Sequence, residues 1–292
     1  MGLFLLPIVL VAIGLEIVAE DIPNSYTYKR RYMERYEGEM KTLILGSSNA
    51  YDGINPSVLP HAFNLANSSQ TLEDDYRLLE RCIGSMDSLQ NVIVGLSYSI
   101  WADASEVHRR TYYTIYMDLY PRWPISKYSF EVFNLELLTK KIIKYAISRD
   151  VTRCDSLGQR VGHTAAAATE RREFWNKDIA ALVANDRIEW RDESVESRVE
   201  RNVGFLDSII RLCELHGVKA VIVSMPVMKE YKAALPPEQI TLHDSVMRSL
   251  PFSAQYIDAS DWSIPSDGWY NATHVTKEAS VEFTERLMGK IE

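Results

Sequence analysis

Four short apolar runs, separated by stretches of helical periodicity, constrain the fold of this chain more than any other feature. They are Lys41–Leu45 (KTLIL) before Gly46, Asn91–Leu96 (NVIVGL), Val218–Met225 (VKAVIVSM) before Pro226, and Gln255–Asp258 (QYID). A strand that is apolar on both faces must be covered on both faces, and strands that alternate with helices form a parallel sheet. The intervening stretches supply the cover. Leu72, Tyr76, Leu79 and Ile83 share one helical face. Val203, Leu206, Ile210 and Cys213 form a second stripe, closed by Gly217, and Ala279, Phe283 and Leu287 form a third near the end. The expected class is therefore α/β. Ligands of such sheets bind beyond the carboxyl ends of the strands. Gly46-Ser47-Ser48, Ser97-Tyr98 and the segment 258–274 all follow strand ends and are expected to meet at one rim.

The N-terminus reads differently. Leu3–Leu15 (LFLLPIVLVAIGL) is uninterruptedly apolar in a chain of 292 residues. Residues 1–20 read as an uncleaved membrane anchor in preference to a cleaved signal segment, because no A-x-A site follows. Residues 21–40 are polar and tyrosine-rich and read as a juxtamembrane connector. Residues 41–292 form the α/β domain, with a helical insertion at about 102–199 that shows no strand pattern. A net charge of −8 excludes a nucleic-acid surface, which needs a basic patch. Cys82, Cys154 and Cys213 are too widely spaced for a metal knuckle or a disulfide framework, and Cys82 and Cys213 lie on helical faces expected to be buried.

Two segments carry candidate chemistry. Leu43–Gly46 delivers the pair Ser47-Ser48 at the end of a buried strand. A serine hydroxyl becomes a nucleophile when a neighbouring base takes its proton, and the turn that presents it supplies a backbone N–H to a developing oxyanion. Near the other end, Asp267-Gly268-Trp269-Tyr270-Asn271-Ala272-Thr273-His274 stands directly before the last helix, and His274 is one of only six histidines.

In this order, a strand followed by Gly46-Ser47-Ser48 and then x-x-His274 before the terminal helix, the chain resembles the SGNH/GDSL hydrolase superfamily. The segments LGSSNAYDGINP (45–56), FNLANSSQTLEDDY (63–76), VIVGLSYSIW (92–101) and VSMPVMKEY (223–231) resemble its bacterial cell-envelope, membrane-tethered branch. The resemblance implies a three-layer α/β/α, flavodoxin-like SGNH fold. It also implies an extracytoplasmic esterase or O-acyltransferase that acts on acylated carbohydrate or a small ester without a metal or organic cofactor. Some such proteins work with a membrane-bound O-acyltransferase. Carried over by position, Ser48 is the nucleophile, His274 the base, and Asn271 stands where the family has its acid. The oxyanion donors fall to Ser48 and Ser69, with Ser97 and Tyr98 where the family has an asparagine. Asn49 stands where relatives often carry histidine. An amide in place of the acid costs serine-protease triads about 10⁴-fold by selecting the wrong tautomer, and Asp267, Asp261 and Asp258 are the nearby alternatives. A site degraded in this way implies instead a glycan-binding or scaffolding module.

Overall fold

The computed structural model describes residues 2–103, 107–149, 152–169, 175–188 and 193–291. In chain order the regular elements begin with α1 (Gly2–Asp21), α2 (Ser25–Tyr36), β1 (Thr42–Gly46), α3 (Ser48–Gly53), β2 (Ala62–Asn64), α4 (Leu72–Cys82) and β3 (Asn91–Leu96). They continue with α5 (Val107–Ile115), α6 (Leu135–Ser148), α7 (Ala165–Thr169), α8 (Trp175–Asp186), α9 (Glu193–Leu215) and β4 (Lys219–Ser224). The last are α10 (Lys229–Ala234), α11 (Pro237–Arg248), β5 (Ala254–Asp258), β6 (Trp269–Asn271), β7 (His274–Val275) and α12 (Lys277–Met288). Two compact units emerge, residues 1–35 with 105–153, and residues 36–104 with 154–292.

The larger unit holds a five-stranded, wholly parallel sheet in the order β2-β1-β3-β4-β5. The four strands expected from the apolar runs are present. The fifth, β2, is a three-residue edge strand (AFN) just before Leu65, too short to show a period. β1 is buried at every residue, as are β3 and β4 after their first. Both faces are thus covered, an arrangement compatible with three layers. The chain reverses direction across the sheet between β1 and β3, the switch point where parallel sheets open a crevice beyond their strand ends. Gly46 pairs with Gly95 there, and both Ser48 and Ser97 leave from this point. Gly46 has φ +126°, and a Cβ on it would lie 2.4 Å from the Gly95 carbonyl oxygen, so only glycine fits.

The smaller unit departs from the sequence-based layout. Residues 25–36, expected as a connector, are helical. Residues 102–199, expected as one insertion, divide: 105–153 pack with the N-terminal segment and 154–199 belong to the sheet-bearing unit. A bridge between Cys154 and Arg160 also gives that stretch a scrap of β-structure. Within the smaller unit the carboxylate of Glu16 accepts the N–H groups of Glu131 and Val132 at 3.0 Å each, and Lys141 pairs with Glu131 at 2.6 Å. The α1 side chains Leu5, Leu6, Ile8, Val9, Leu10, Val11, Ile13, Ile17 and Val18 are exposed. Among the described residues no helix is long and apolar enough to cross a membrane. Cys82, Cys154 and Cys213 are buried free thiols.

Candidate active site

β1 ends at Gly46, Ser47 turns the chain, and Ser48 opens α3. This turn is braced from behind. The N–H of Gly46 donates to buried Asp75 of α4 at 2.9 Å, and Gln70 Nε2 donates to the same oxygen at 2.5 Å. Burial pushes the Asp75 carboxyl up to about 7 against the lowering effect of both hydrogen bonds. Asp75 is held at this depth by a capping box at the start of α4, where Thr71 and Asp74 satisfy each other's backbone. As the first residue of α3, Ser48 carries one of the N–H groups that a helix leaves without an intrahelical acceptor.

His274 comes from the two-stranded antiparallel ribbon β6–β7. The ribbon is tied to α3 by Asn49, whose Nδ2 donates to the Thr273 carbonyl at 2.6 Å. Ser48 and His274, 226 positions apart, meet with Oγ 2.7 Å from Nε2. On the other side of the ring, Nδ1 lies 3.0 Å from Asn271 Oδ1 and 2.9 Å from Thr273 Oγ1.

The orientation of the Asn271 amide follows from its other partners. Its Oδ1 accepts the backbone N–H groups of Thr273 and His274, each at 2.9 Å. Two N–H donors fix the oxygen, not the NH₂, toward the ring, as in an Asx turn. Nδ1 must then carry the ring proton and donate it, which leaves the Nε2 lone pair to accept from the Ser48 hydroxyl. That is the tautomer a general base needs. The penalty expected from an amide at this position, the wrong tautomer, is removed by two backbone hydrogen bonds. The His274 ring is only 14% exposed. Burial is the main reason its protonation falls to about 4. Asp52 opposes that fall, while Arg160 and His163 add to it.

Three further residues complete the cluster, none of them assigned from the sequence. Asp52 stands four positions after Ser48 on α3 and is 1% exposed. Its Oδ1 pairs with Arg160 Nε at 2.8 Å, and its Oδ2 lies 3.1 Å from His163 Nδ1 and 3.7 Å from His274 Nε2. Arg160 also reaches the Ser68 hydroxyl and, at 3.4 Å, His163 Nε2. His163 stacks on Tyr270 with 3.6 Å between ring centroids. The segment that brings Arg160 and His163 is sewn to α3 and α12. Arg160 N–H donates to the Tyr51 carbonyl at 3.2 Å, Lys277 N–H to the His163 carbonyl at 2.8 Å, and Gln159 bridges the Asp52 carbonyl and Ser280. Gly158 (φ +84°) permits the approach, since a Cβ there would sit 2.2 Å from the Asn64 carbonyl oxygen.

The remaining sequence candidates lie elsewhere. Asp267, Asp261 and Asp258 are exposed and none partners the His274 ring; Asp261 pairs with Lys232 at 2.7 Å. Asp52 is the carboxylate near the imidazole. Ser69 is exposed and left-handed at φ +54°. Ser97 Oγ bonds Ser99 Oγ at 3.2 Å. The Tyr98 ring is buried against His243, 4.6 Å between centroids, so its hydroxyl belongs to another cluster.

A second serine–histidine pair exists in that cluster. Ser224 Oγ lies 2.6 Å from His243 Nε2, but Trp101 donates its indole N–H to His243 Nδ1 at 3.2 Å. Nε2 must therefore carry the proton and donate it to Ser224, the reverse of a general base. Both residues are 1% exposed, so this pair fastens β4 to α11.

No protein-family model matches this chain, and no curated protein matches it at a significant level.

Proposed function

We propose that the chain is an SGNH-type serine esterase or O-acyltransferase acting on acyl esters of a cell-envelope glycan. The carrying observation is the 2.7 Å contact between Ser48 Oγ and a His274 ring whose other nitrogen is held as N–H by Asn271. Ser48 Oγ attacks the acyl carbonyl carbon while its proton passes to His274 Nε2. The carbonyl π electrons move to oxygen, where the Ser48 N–H at the start of α3 faces the charge. Collapse expels the sugar alkoxide, which takes the proton from Nε2. Water or an acceptor hydroxyl then repeats the sequence on the acyl-enzyme, giving hydrolysis or transfer. The reaction as written calls on no metal or organic cofactor. The exposed apolar side chains of α1 support tethering through residues 1–20. Extracytoplasmic placement and a membrane-bound O-acyltransferase partner rest on the resemblance of the motifs.

The test is turnover of p-nitrophenyl acetate, with an acetylated oligosaccharide as second substrate, by wild type and Ser48→Ala. The substitution is expected to lower the rate by at least about 10³-fold. Equal rates in the two proteins on both substrates would refute the assignment.

A second reading, a glycan-binding module that has lost catalysis, is favoured by a different feature. A cleft of about 480 Å³ opens beyond β4 and β5, walled by Trp262 and Trp269 and edged by Glu230, Asp261 and Ser263. A cleft of that size with indole, carboxylate and hydroxyl groups in its lining suits a sugar ring. Oligosaccharide binding together with unchanged turnover in Ser48→Ala would select this reading.

A further inference from the structure

Protonation of His274 during the reaction creates an imidazolium in a largely enclosed site. In serine triads a carboxylate on the Nδ1 side stabilises that cation, and here Nδ1 meets the neutral amide of Asn271. The charges that face the ring are Asp52 from α3 and Arg160 from the 154–164 segment, with His163 beside them. Arg160 Nη1 donates to His163 Nε2 and His163 Nδ1–H donates to Asp52 Oδ2, so the carboxylate is built to accept. Its Oδ2 lies on the Nε2 side of His274, 3.7 Å away. That is within Coulombic reach but beyond hydrogen-bond length, so Ser48 keeps the direct bond at 2.7 Å.

We propose that Asp52 is the positioning residue that supplies the missing negative charge of the triad, stabilising the His274 imidazolium from the Nε2 side, with Arg160 and His163 holding it in place. The proposal rests on Ser48 acting as nucleophile. Asp52 takes no proton. The Ser48 proton moves to Nε2 as the Oγ–carbon bond forms, and it leaves with the alkoxide when the ester C–O bond breaks. At that point Asp52 favours the charged ring without competing for its proton. Helical spacing serves the arrangement, since residues four apart share a face and Asp52 therefore follows Ser48 into the site.

The experiment uses the full chain and two readouts: the titration of the His274 ring by NMR, and the second-order rate at which diisopropyl fluorophosphate phosphorylates Ser48, followed by mass spectrometry. Asp52→Asn is expected to move the His274 titration to lower pH and to slow labelling by about 10–100-fold. Adding Asn271→Asp, which restores a carboxylate on the opposite side of the ring, is expected to bring labelling back to within about tenfold of wild type. A purely structural Asp52 would gain no more from Asn271→Asp than the wild-type background does, whereas a shared charge role makes the gain larger in the Asp52→Asn background. Breaking a buried pair is costly, so Asp52→Asn combined with Arg160→Gln removes both partners and should shift the titration the same way by a smaller amount. Unchanged titration and labelling in Asp52→Asn, or a gain from Asn271→Asp no larger than in the wild-type background, overturns the role of Asp52 while leaving the nucleophile in place. A wild-type protein that is not labelled at Ser48 overturns the nucleophile itself, and the role of Asp52 with it.

Discussion

Replacing Asn271 by Asp puts a full negative charge where an amide oxygen now sits, 3.0 Å from His274 Nδ1. The two side chains have the same shape, and the acceptor used by the N–H groups of Thr273 and His274 is retained. Unit charges at that separation interact by about 5.5 kcal/mol at an effective dielectric of about 20. This is a ceiling, because Asn271 is half-buried and a carboxylate there gives up hydration. An opposite charge at such range raises a histidine by about 1–3 pH units. His274 would then move from about 4 to somewhere near 5–7. At about 1.4 kcal/mol per unit, the imidazolium gains about 1.4–4 kcal/mol. With the proton roughly half transferred in the transition state, about half of this appears in the rate, an acceleration of about 3–30-fold. Hydrolysis of p-nitrophenyl acetate between about pH 4 and 9, with Ser48→Ala as blank, measures both effects. The acid limb of kcat/KM should move up by about 1–3 pH units and the plateau should rise. An unmoved acid limb would show that residue 271 does not face the protonated nitrogen. The tautomer assigned to His274 would then be wrong.

Two predictions concern stability. Asp75 has a folded value of about 7 against an unfolded 3.8. The folded chain therefore binds the extra proton, and this stability is present at low pH and lost as pH rises through about 7. Guanidinium melts should show wild type losing about 2–3 kcal/mol from this source between about pH 5 and 8, and Asp75→Asn losing none of it. Equal pH dependence in the two proteins would contradict the burial of a carboxyl behind Gly46. His243 and His274 have the opposite sign. Both are pushed down from 6.5 to about 4 by burial, so the unfolded chain binds more protons and stability is lost as pH falls from about 6.5 to 4. Near pH 5 the two histidines and Asp75 leave a net of one proton, a slope of about 1.4 kcal/mol per pH unit. Asp75→Asn exposes both histidines and should double it. A slope that stays the same in the variant would contradict the opposing pair.

The sheet was legible because its central strands are buried on both faces and therefore apolar at nearly every position, a signal that needs no partner to interpret. Where burial is partial or the element short, that signal fades. β2 contributes three residues at an edge, and β6–β7 is a five-residue ribbon whose pairing is set by the turn at Asn271–Thr273. The division of residues 102–199 was not legible for a related reason. Helical periodicity tells which face is buried but not against what, so 135–148 and 200–216 look alike although they belong to different units.

The site divides along the same line. Ser48 and His274 each stand at a junction, a strand end and the start of the last helix, but it is their order along the chain, resembling the SGNH pattern, that singles them out. Asp52 carries a usable signal, since position four after a helical serine shares its face, whereas Asp267, Asp261 and Asp258 are only nearer to His274 in sequence. Arg160 and His163 carried none, because only tertiary hydrogen bonds, donated to Tyr51 and Ser280 and accepted from Lys277, bring their segment to α3 and α12. The deeper limit is shown by the two serine–histidine pairs. Ser48–His274 and Ser224–His243 have nearly the same separation, 2.7 and 2.6 Å. What separates a base from a strut is the atom on the far nitrogen, an oxygen pinned by two backbone N–H groups in one case and an indole N–H in the other. A residue two or three positions away can reveal the first arrangement, as Asn271 does. The second depends on Trp101, 142 positions from His243, and no local pattern records it. Proximity of a hydroxyl to an imidazole is therefore a weak criterion in this fold, and the proton's address on the ring is the strong one.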